Sequence, residues 1–214
     1  MKLYLKQLEL GPLQNFVYLI GSLETREAAV VDPGWDLRRI LDTAKQDEMR
    51  ITTVLVTHTH FDHINAVEGI VQATDARVLV HKKESGAVPV ARTSVQEMEG
   101  GQEFTLGPLK ISLLHTPGHT PGSVCFSVAD RLIAGDTLFI GGCGRCDLPG
   151  GDPEAMHKSL GRLAKLDDRI ALYPGHNYAP RPTSSIGEEK GYNPFLKAAD
   201  LDQFLGLIGA GKKQ

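Results

Sequence analysis

Between His58 and His63 the chain reads HTHFDH, three imidazoles and one carboxylate within six positions. His58 and His60 stand two apart at the end of a predicted strand, where side chains at i and i+2 share a face, so both rings can converge on one point. Asp62 and His63 follow where the chain turns toward a helix and can aim at a second point nearby. Neutral imidazole with carboxylate is the donor set that zinc and similar borderline cations prefer, and catalytic sites use few protein ligands so that a water position stays open. A lone histidine is usually structural. A short tract rich in histidine with interleaved acid has a metal-binding composition.

That tract alone has too few donors for two enclosed cations, so further ligands are expected on loops that follow strands. Three candidates are in place: His119 between the two Pro-Gly turns of HTPGHTPGS, Asp136 after the apolar run LIAG, and His176 after ALYPG. The other three histidines have plainer readings. His81 is a polar residue at a strand end, His115 lies behind the site or in a loop, and His157 is on the solvated face of a helix.

The elements that must position these residues are short β-branched runs alternating with turns and a few helices, an α/β pattern. Strands are predicted at Phe16 to Ile20, Ala28 to Asp32, Thr52 to Thr57, Arg77 to His81, Leu109 to His115, Ser123 to Val128, Arg131 to Asp136 and Arg169 to Gly175. Most are continuous apolar runs, as in strands covered on both faces. From Asp36, the residues Leu37, Ile40, Leu41 and Ala44 recur at helical spacing. A second helix starts at Asp152, which can cap the open amides, with Pro153 in its first turn and Met156, Leu160 and Leu163 as its apolar stripe. A third is predicted in INAVEGIVQAT, whereas EEKGY, residues 188–192, reads as a solvated loop.

Bulk composition narrows the partners. With 214 residues, 41% hydrophobic and 23% charged, the chain fits one domain spanning 1–214, with a short helical tail from about residue 194. The formal charge of −3 carries no basic stripe, so neither nucleic acid nor a membrane surface is indicated, and a small molecule is the expected partner. No run reaches the eighteen or so apolar residues of a membrane span, and MKLYLKQLEL has charges where a secretory leader needs an apolar stretch. Three cysteines are too few and odd in number for a disulfide framework, which fits a reducing, cytoplasmic setting. Cys143 and Cys146 form a C-x-x-C without the second pair that a zinc knot needs, and Trp35 is placed to cover the mouth of the site or pack at its rim. The sequence leaves the oligomeric state open.

THTHFDH, PGHTPGS, GDTLF and YPGH, in this order, together with VVDPG from Val30 to Gly34, resemble the metallo-β-lactamase superfamily over about Asn15 to Leu196. The resemblance implies a four-layer αβ/βα sandwich with metal at one edge. His58, His60 and His119 would hold one cation, Asp62, His63 and His176 a second, and Asp136 would bridge them. It implies two divalent metal ions, zinc foremost with iron or manganese as alternatives, and a metal-bound hydroxide as nucleophile toward a carbonyl. Asp62 would accept a proton from water where a single metal is bound.

Within that superfamily, GDTLFIGGCGR with YPGHNY resembles the glyoxalase II branch, thioesterases that cleave S-D-lactoylglutathione and related hydroxyacylglutathiones. Arg145 and Tyr178 are then the implied contacts to a glutathione-linked thioester. The chain reads CGRCDLPGGD where those enzymes carry a further aromatic, and 38 residues follow His176, fewer than their helical substrate domain needs. Its tail SSIGEEKGYNPFL resembles the short bacterial type II glyoxalases. Three alternatives stay open. Persulfide dioxygenases of this fold share the GCGR and H-x-Y features and bind one ferrous iron, here through His58, His119 and Asp136. Diiron electron-transfer modules dock a flavin domain, and nuclease members carry an added nucleic-acid-binding domain.

Overall fold

Strands that are apolar on both faces need cover on both sides, and the computed structural model, which describes residues 2–209, supplies it. The first sheet holds β1 (Leu3–Leu10), β2 (Asn15–Ser22), β3 (Glu27–Val31), β4 (Arg50–Val56), β5 (Arg77–His81) and β6 (Val95–Met98), in that order. The chain then forms β7 (Glu103–Leu106), β8 (Leu109–His115), β9 (Val124–Val128), β10 (Arg131–Gly135), a ribbon of β11 (Leu138–Phe139) with β12 (Gly142–Cys143), and finally β13 (Ala171–Pro174) and β14 (Ser184–Ser185). Six of these make the second sheet, ordered β14-β13-β10-β9-β8-β7. The helices are α1 (Leu37–Gln46), α2 (Phe61–Ile64), α3 (Val67–Thr74), α4 (Pro153–Leu163), α5 (Ile186–Tyr192) and α6 (Leu201–Leu207).

Three apolar clusters define the layers. Phe16, Tyr18 and Ile20 alternate along β2 and meet Ile111, Leu113, Phe126 and Ile133 of the second sheet between the two sheets. The intervening Val17 and Leu19 point the other way, joining Val54 and Val78 beneath Ile40 of α1 and Val67 and Ile70 of α3. On the far side Leu132, Ala134 and Leu172 lie under Met156 and Leu160 of α4, Ile186 of α5 and Phe204 of α6. The result is the four-layer αβ/βα sandwich, held by side chains each contributing about 1.5–3 kcal/mol when fully buried. The expected helix starts hold: the Asp36 carboxylate accepts from the Arg39 amide at 3.0 Å, and the Asp152 carboxylate from the Ala155 amide at 3.0 Å.

The topology collects strand ends at one edge. In the first sheet β3, β4, β5 and β6 run parallel, so α1, α2 and α3 lie on crossovers and β4 delivers His58 at its carboxyl end. In the second sheet β10 and β13 are parallel and deliver Asp136 and His176. The antiparallel β8–β9 connection carries His119. Carboxyl ends of parallel strands are where open α/β sheets place their ligand sites.

Several expectations need correction. EEKGY is helical: it completes α5, and Glu189 within it is fully buried. His157 is not on a solvated face, because its ring packs 5.5 Å from Phe204 and reaches the Ala198 carbonyl at 3.4 Å. The helix expected in INAVEGIVQAT is split, with α2 ending at Ile64 and α3 starting at Val67. Strands β1, β6 and β7 went unpredicted, as did the two-residue β11, β12 and β14; β1, β6 and β7 all lie at sheet edges and carry polar residues on an open face. No helix among the described residues is long and apolar enough to cross a membrane.

Candidate metal centre

The seven expected ligands meet at that edge. His58, His60 and His119 each present a ring nitrogen within 4.8 Å of one another, and Asp62, His63 and His176 present a second set within the same limit. Asp136 lies between them, its carboxylate 3.5 Å from His63 Nε2, 3.5 Å from His119 Nε2 and 3.3 Å from His176 Nε2. Gly175 lets the backbone crowd in: a Cβ there would stand 2.9 Å from the Gly135 carbonyl carbon and collide with the Asp136 carboxylate.

Hydrogen bonds on the outer ring nitrogens set the tautomers. His119 Nδ1 donates to the Arg145 carbonyl at 2.7 Å, His176 Nδ1 to the Leu13 carbonyl at 2.8 Å, and His63 Nδ1 to Asp32 at 3.0 Å. The Thr57 hydroxyl donates to Asp32 at 2.6 Å and so accepts from His58 Nδ1 at 3.1 Å. In all four rings Nε2 is therefore the nitrogen directed inward, the arrangement that supports metal ligation once any proton it carries is displaced.

The electrostatics differ between the two sets. Burial, reinforced by His63, holds His58 well below the ordinary imidazole value, and burial with His119 beside it lowers His60. Both are neutral, as ligands must be. Burial also opposes charge on His63, but Asp136, Asp32 and Asp62 outweigh it and lift the ring to about 9. Asp136 is buried too, yet the surrounding imidazoles hold its carboxyl far below the usual range. The field of three carboxylates thus favours positive charge here. Meanwhile His58 Nε2, His119 Nε2 and Asp136 Oδ1 are buried with no hydrogen-bond partner among the described residues. Unpaired buried polar atoms cost about 1–3 kcal/mol each, and a cation accepted by all three removes that cost. The donors present fit a metal.

Two supporting residues had no role in the sequence reading. Asp32, from VVDPG, holds both the Thr57 amide at 2.7 Å and the His63 ring. Asn15 donates to the Asp62 carboxylate at 2.9 Å and to its carbonyl at 3.1 Å, while Trp35 Nε1 donates to Asn15 at 2.9 Å. Trp35 is thus a rim residue that fixes Asn15, and its ring meets exposed Phe61 edge-on at 6.0 Å. Asp32 stands in VVDPG and Trp35 directly after it, whereas Asn15 lies in no motif, and the partners of all three are 20 to 47 residues away.

The two expected substrate contacts are near the cluster in different states. Tyr178 is exposed and stacks on His176 at 4.7 Å. Burial and then Asp136 and Asp62 push its phenol up, so it is a protonated donor. Arg145 touches the cluster through its backbone carbonyl, while its exposed guanidinium forms a two-pronged pair with Asp147, both contacts at 2.7 Å. Cys143 and Cys146 are pushed up to about 12, by burial and, for Cys143, by Cys146 itself, so they are thiols rather than thiolates.

A sandwich with a histidine and aspartate cluster at the carboxyl ends of its parallel strands defines a class. The profile of the metallo-beta-lactamase superfamily matches residues 10–176, and the chain belongs to that superfamily. It is 31% identical over 192 residues to PksB of Bacillus subtilis (strain 168), a probable polyketide biosynthesis zinc-dependent hydrolase, covering 89% of this chain and 85% of that protein. It is 38% identical over 169 residues to the hydroxyacylglutathione hydrolase of Pseudomonas syringae pv. syringae (strain B728a), covering 77% of this chain but 62% of that protein. The crystal structure of ETHE1 from Myxococcus xanthus superposes with a TM-score of 0.89 at 31% identity, covering 99% of this chain and 92% of that one.

Proposed function

We propose that this chain is a one-domain, metal-dependent thioesterase acting on a small acyl-thioester, with a hydroxyacylglutathione as the first substrate to test. The observation that carries the metal reading is the inward set of Nε2 atoms on His58, His63, His119 and His176, together with Asp136 and its unpartnered Oδ1. His58, His60 and His119 would hold one divalent cation, Asp62, His63 and His176 the other, and Asp136 would be shared. When bound, the metals supply Lewis acidity and lower the pKa of water from 15.7 to about 7.

The chain's own residues do the rest. Asn15 and Trp35 orient the Asp62 carboxylate, which with two cations is a ligand and with one is the acceptor for a proton from water. Tyr178, stacked on His176, offers a hydroxyl to the thiol carrier at the mouth. Arg145 offers a planar cation to a carrier carboxylate once Asp147 releases it. The relatives support hydrolysis, since those found include a zinc-dependent hydrolase and a hydroxyacylglutathione hydrolase.

A second reading has one specific observation behind it. The three unpartnered atoms belong to His58, His119 and Asp136, the two-histidine, one-carboxylate set that suits a single ferrous iron. The persulfide dioxygenase alternative rests there. Anaerobic purification, metal content and two assays decide between them: two metals with thioester cleavage support the hydrolase, and one iron with oxygen uptake on glutathione persulfide overturns it.

A further inference from the structure

Glu84 is a buried carboxylate outside the seven expected ligands, and nothing in the proposed chemistry uses it. It starts the short turn after β5, fixed by its own amide on the His81 carbonyl at 2.8 Å. Its two oxygens divide their work. Oε2 accepts from the Thr59 amide at 3.1 Å and from the Thr59 hydroxyl, and Thr59 stands between His58 and His60. Oε1 accepts from the Thr120 hydroxyl at 2.7 Å and the Gly122 amide at 2.9 Å, in the loop that carries His119. Gly122 makes the approach feasible, since a Cβ there would stand 2.7 Å from Oε1.

We propose that Glu84 is a positioning residue for the His58, His60 and His119 sub-site, one carboxylate clamping both ligand-bearing loops so that three rings from two separate loops reach one cation. The inference rests on the metal reading above. Asp32 is the corresponding buried acid for the other sub-site, holding the His63 ring directly and reaching His58 only through the Thr57 hydroxyl, whereas the Glu84 carboxylate bonds to neither His63 nor its helix α2. The chemistry demands a carboxylate. A glutamine has one accepting oxygen, so whichever way it turns, its amide group faces the amide of Thr59 or of Gly122, donor against donor. A shorter aspartate cannot span both loops. Glu189 is the natural control: it is equally buried and multiply bonded, to the Gly141 amide, the Tyr192 hydroxyl and the Asn193 side chain, yet it clamps the β11–β12 ribbon to α5.

The test is zinc binding to the full metal-free chain, by competition against a chromophoric chelator, for wild type, Glu84→Gln and Glu189→Gln, with cobalt(II) absorption as a geometric readout. Glu84→Gln should weaken one of the two zinc equivalents about 10- to 100-fold, shift the cobalt spectrum of that site, and leave the other equivalent within about twofold. Glu189→Gln should leave both sites within about twofold even where it lowers the melting temperature as much. Thr59→Val, which removes one hydroxyl and keeps the backbone, should move the same site in the same direction by about three- to tenfold, and it decides the matter should Glu84→Gln not fold. Two normal zinc sites in both Glu84→Gln and Thr59→Val overturn the inference alone, as does equal weakening by Glu84→Gln and Glu189→Gln. A wild-type chain that takes up no zinc overturns the metal reading and this inference with it.

Discussion

The two halves of the cluster are built on different principles. The His58, His60 and His119 set is all imidazole, with His58 and His60 held neutral and two of its inward nitrogens unpartnered among the described residues. The Asp62, His63 and His176 set is internally bonded, with His63 Nε2 3.2 Å from His176 Nε2, and Asp62 3.5 Å from both. The first half has no partner for the inward nitrogens of His58 and His119 among the described residues, while in the second Asp136 and Asp32, helped by Asp62, keep His63 charged. A cation therefore relieves unpaired lone pairs in the first half and replaces a proton in the second. Affinity in the second half should consequently fall faster as pH drops, because metal and proton compete there.

Removing one ligand from each half tests that contrast most strongly. His58→Ala is expected to lower metal content from about two to about one per chain and thioester cleavage by roughly a thousandfold or more. His176→Ala should also leave about one metal and cost activity, whereas in the iron dioxygenase reading it would keep its full metal complement. Metal analysis of both variants settles which half is the working one.

Metal removal addresses the cluster as a whole. A ligand present at a thousand times its dissociation constant stabilises the native state by about 4 kcal/mol, so chelation should lower the melting temperature by roughly 10 °C in a chain of this size. The effect should shrink in His58→Ala and shrink again in a His58→Ala, His176→Ala double variant. An unchanged melting temperature on chelation would show that the clusters are satisfied without metal.

A pair of histidines outside the cluster supplies a contrast in kind. His81 and His115 stack at 4.1 Å, and burial together with His115 pushes His81 down to about 4 from an ordinary value near 6.5. The unfolded chain then binds more protons than the folded one between those values, so this residue's contribution is present above about pH 6.5 and is lost as pH falls toward 4. In chelated protein, the stability gap between wild type and His81→Gln should narrow across that window, by an amount equivalent to a few degrees in melting temperature. A gap independent of pH would mean that His81 is not held neutral.

What the sequence disclosed follows the same division between local and distant partners. HTHFDH was legible because its chemistry is packed into six positions, and His119, Asp136 and His176 because each follows a turn or an apolar strand. The sandwich was legible in strands such as β5 and β8, whose bounds match the apolar runs. Glu84 was invisible since its partners Thr59 and Thr120 lie 25 and 36 residues away and nothing local marks it as buried. Glu189 was misread as solvated for the same reason, its carboxylate being satisfied by Gly141, 48 residues away. Edge strand β1 escaped because Lys6, Gln7 and Glu9 interrupt its apolar residues. Buried acids are intelligible only through the donors that surround them, and tertiary structure alone brings those donors together.

The smallest expected effect concerns the mouth, where the resemblance and the geometry pull in different directions. Arg145 is the implied cation for a glutathione carboxylate, yet two of its three guanidinium nitrogens, Nε and Nη2, already face Asp147. An exposed pair of this kind contributes little to stability, so Asp147 acts chiefly as a competitor for the guanidinium. Arg145→Ala should raise KM for a glutathione thioester about tenfold with metal content unchanged, and Arg145→Lys should recover only part of that, because the forked geometry is lost. Asp147→Asn should act in the opposite direction, lowering KM about two- to threefold by freeing the guanidinium without moving the backbone carbonyl that holds His119. A thioester lacking the glutathione carboxylates should ignore all three changes. Equal losses on both substrates with Arg145→Ala would assign Arg145 to the support of His119, and a higher KM in Asp147→Asn would mean that the pair itself shapes the mouth.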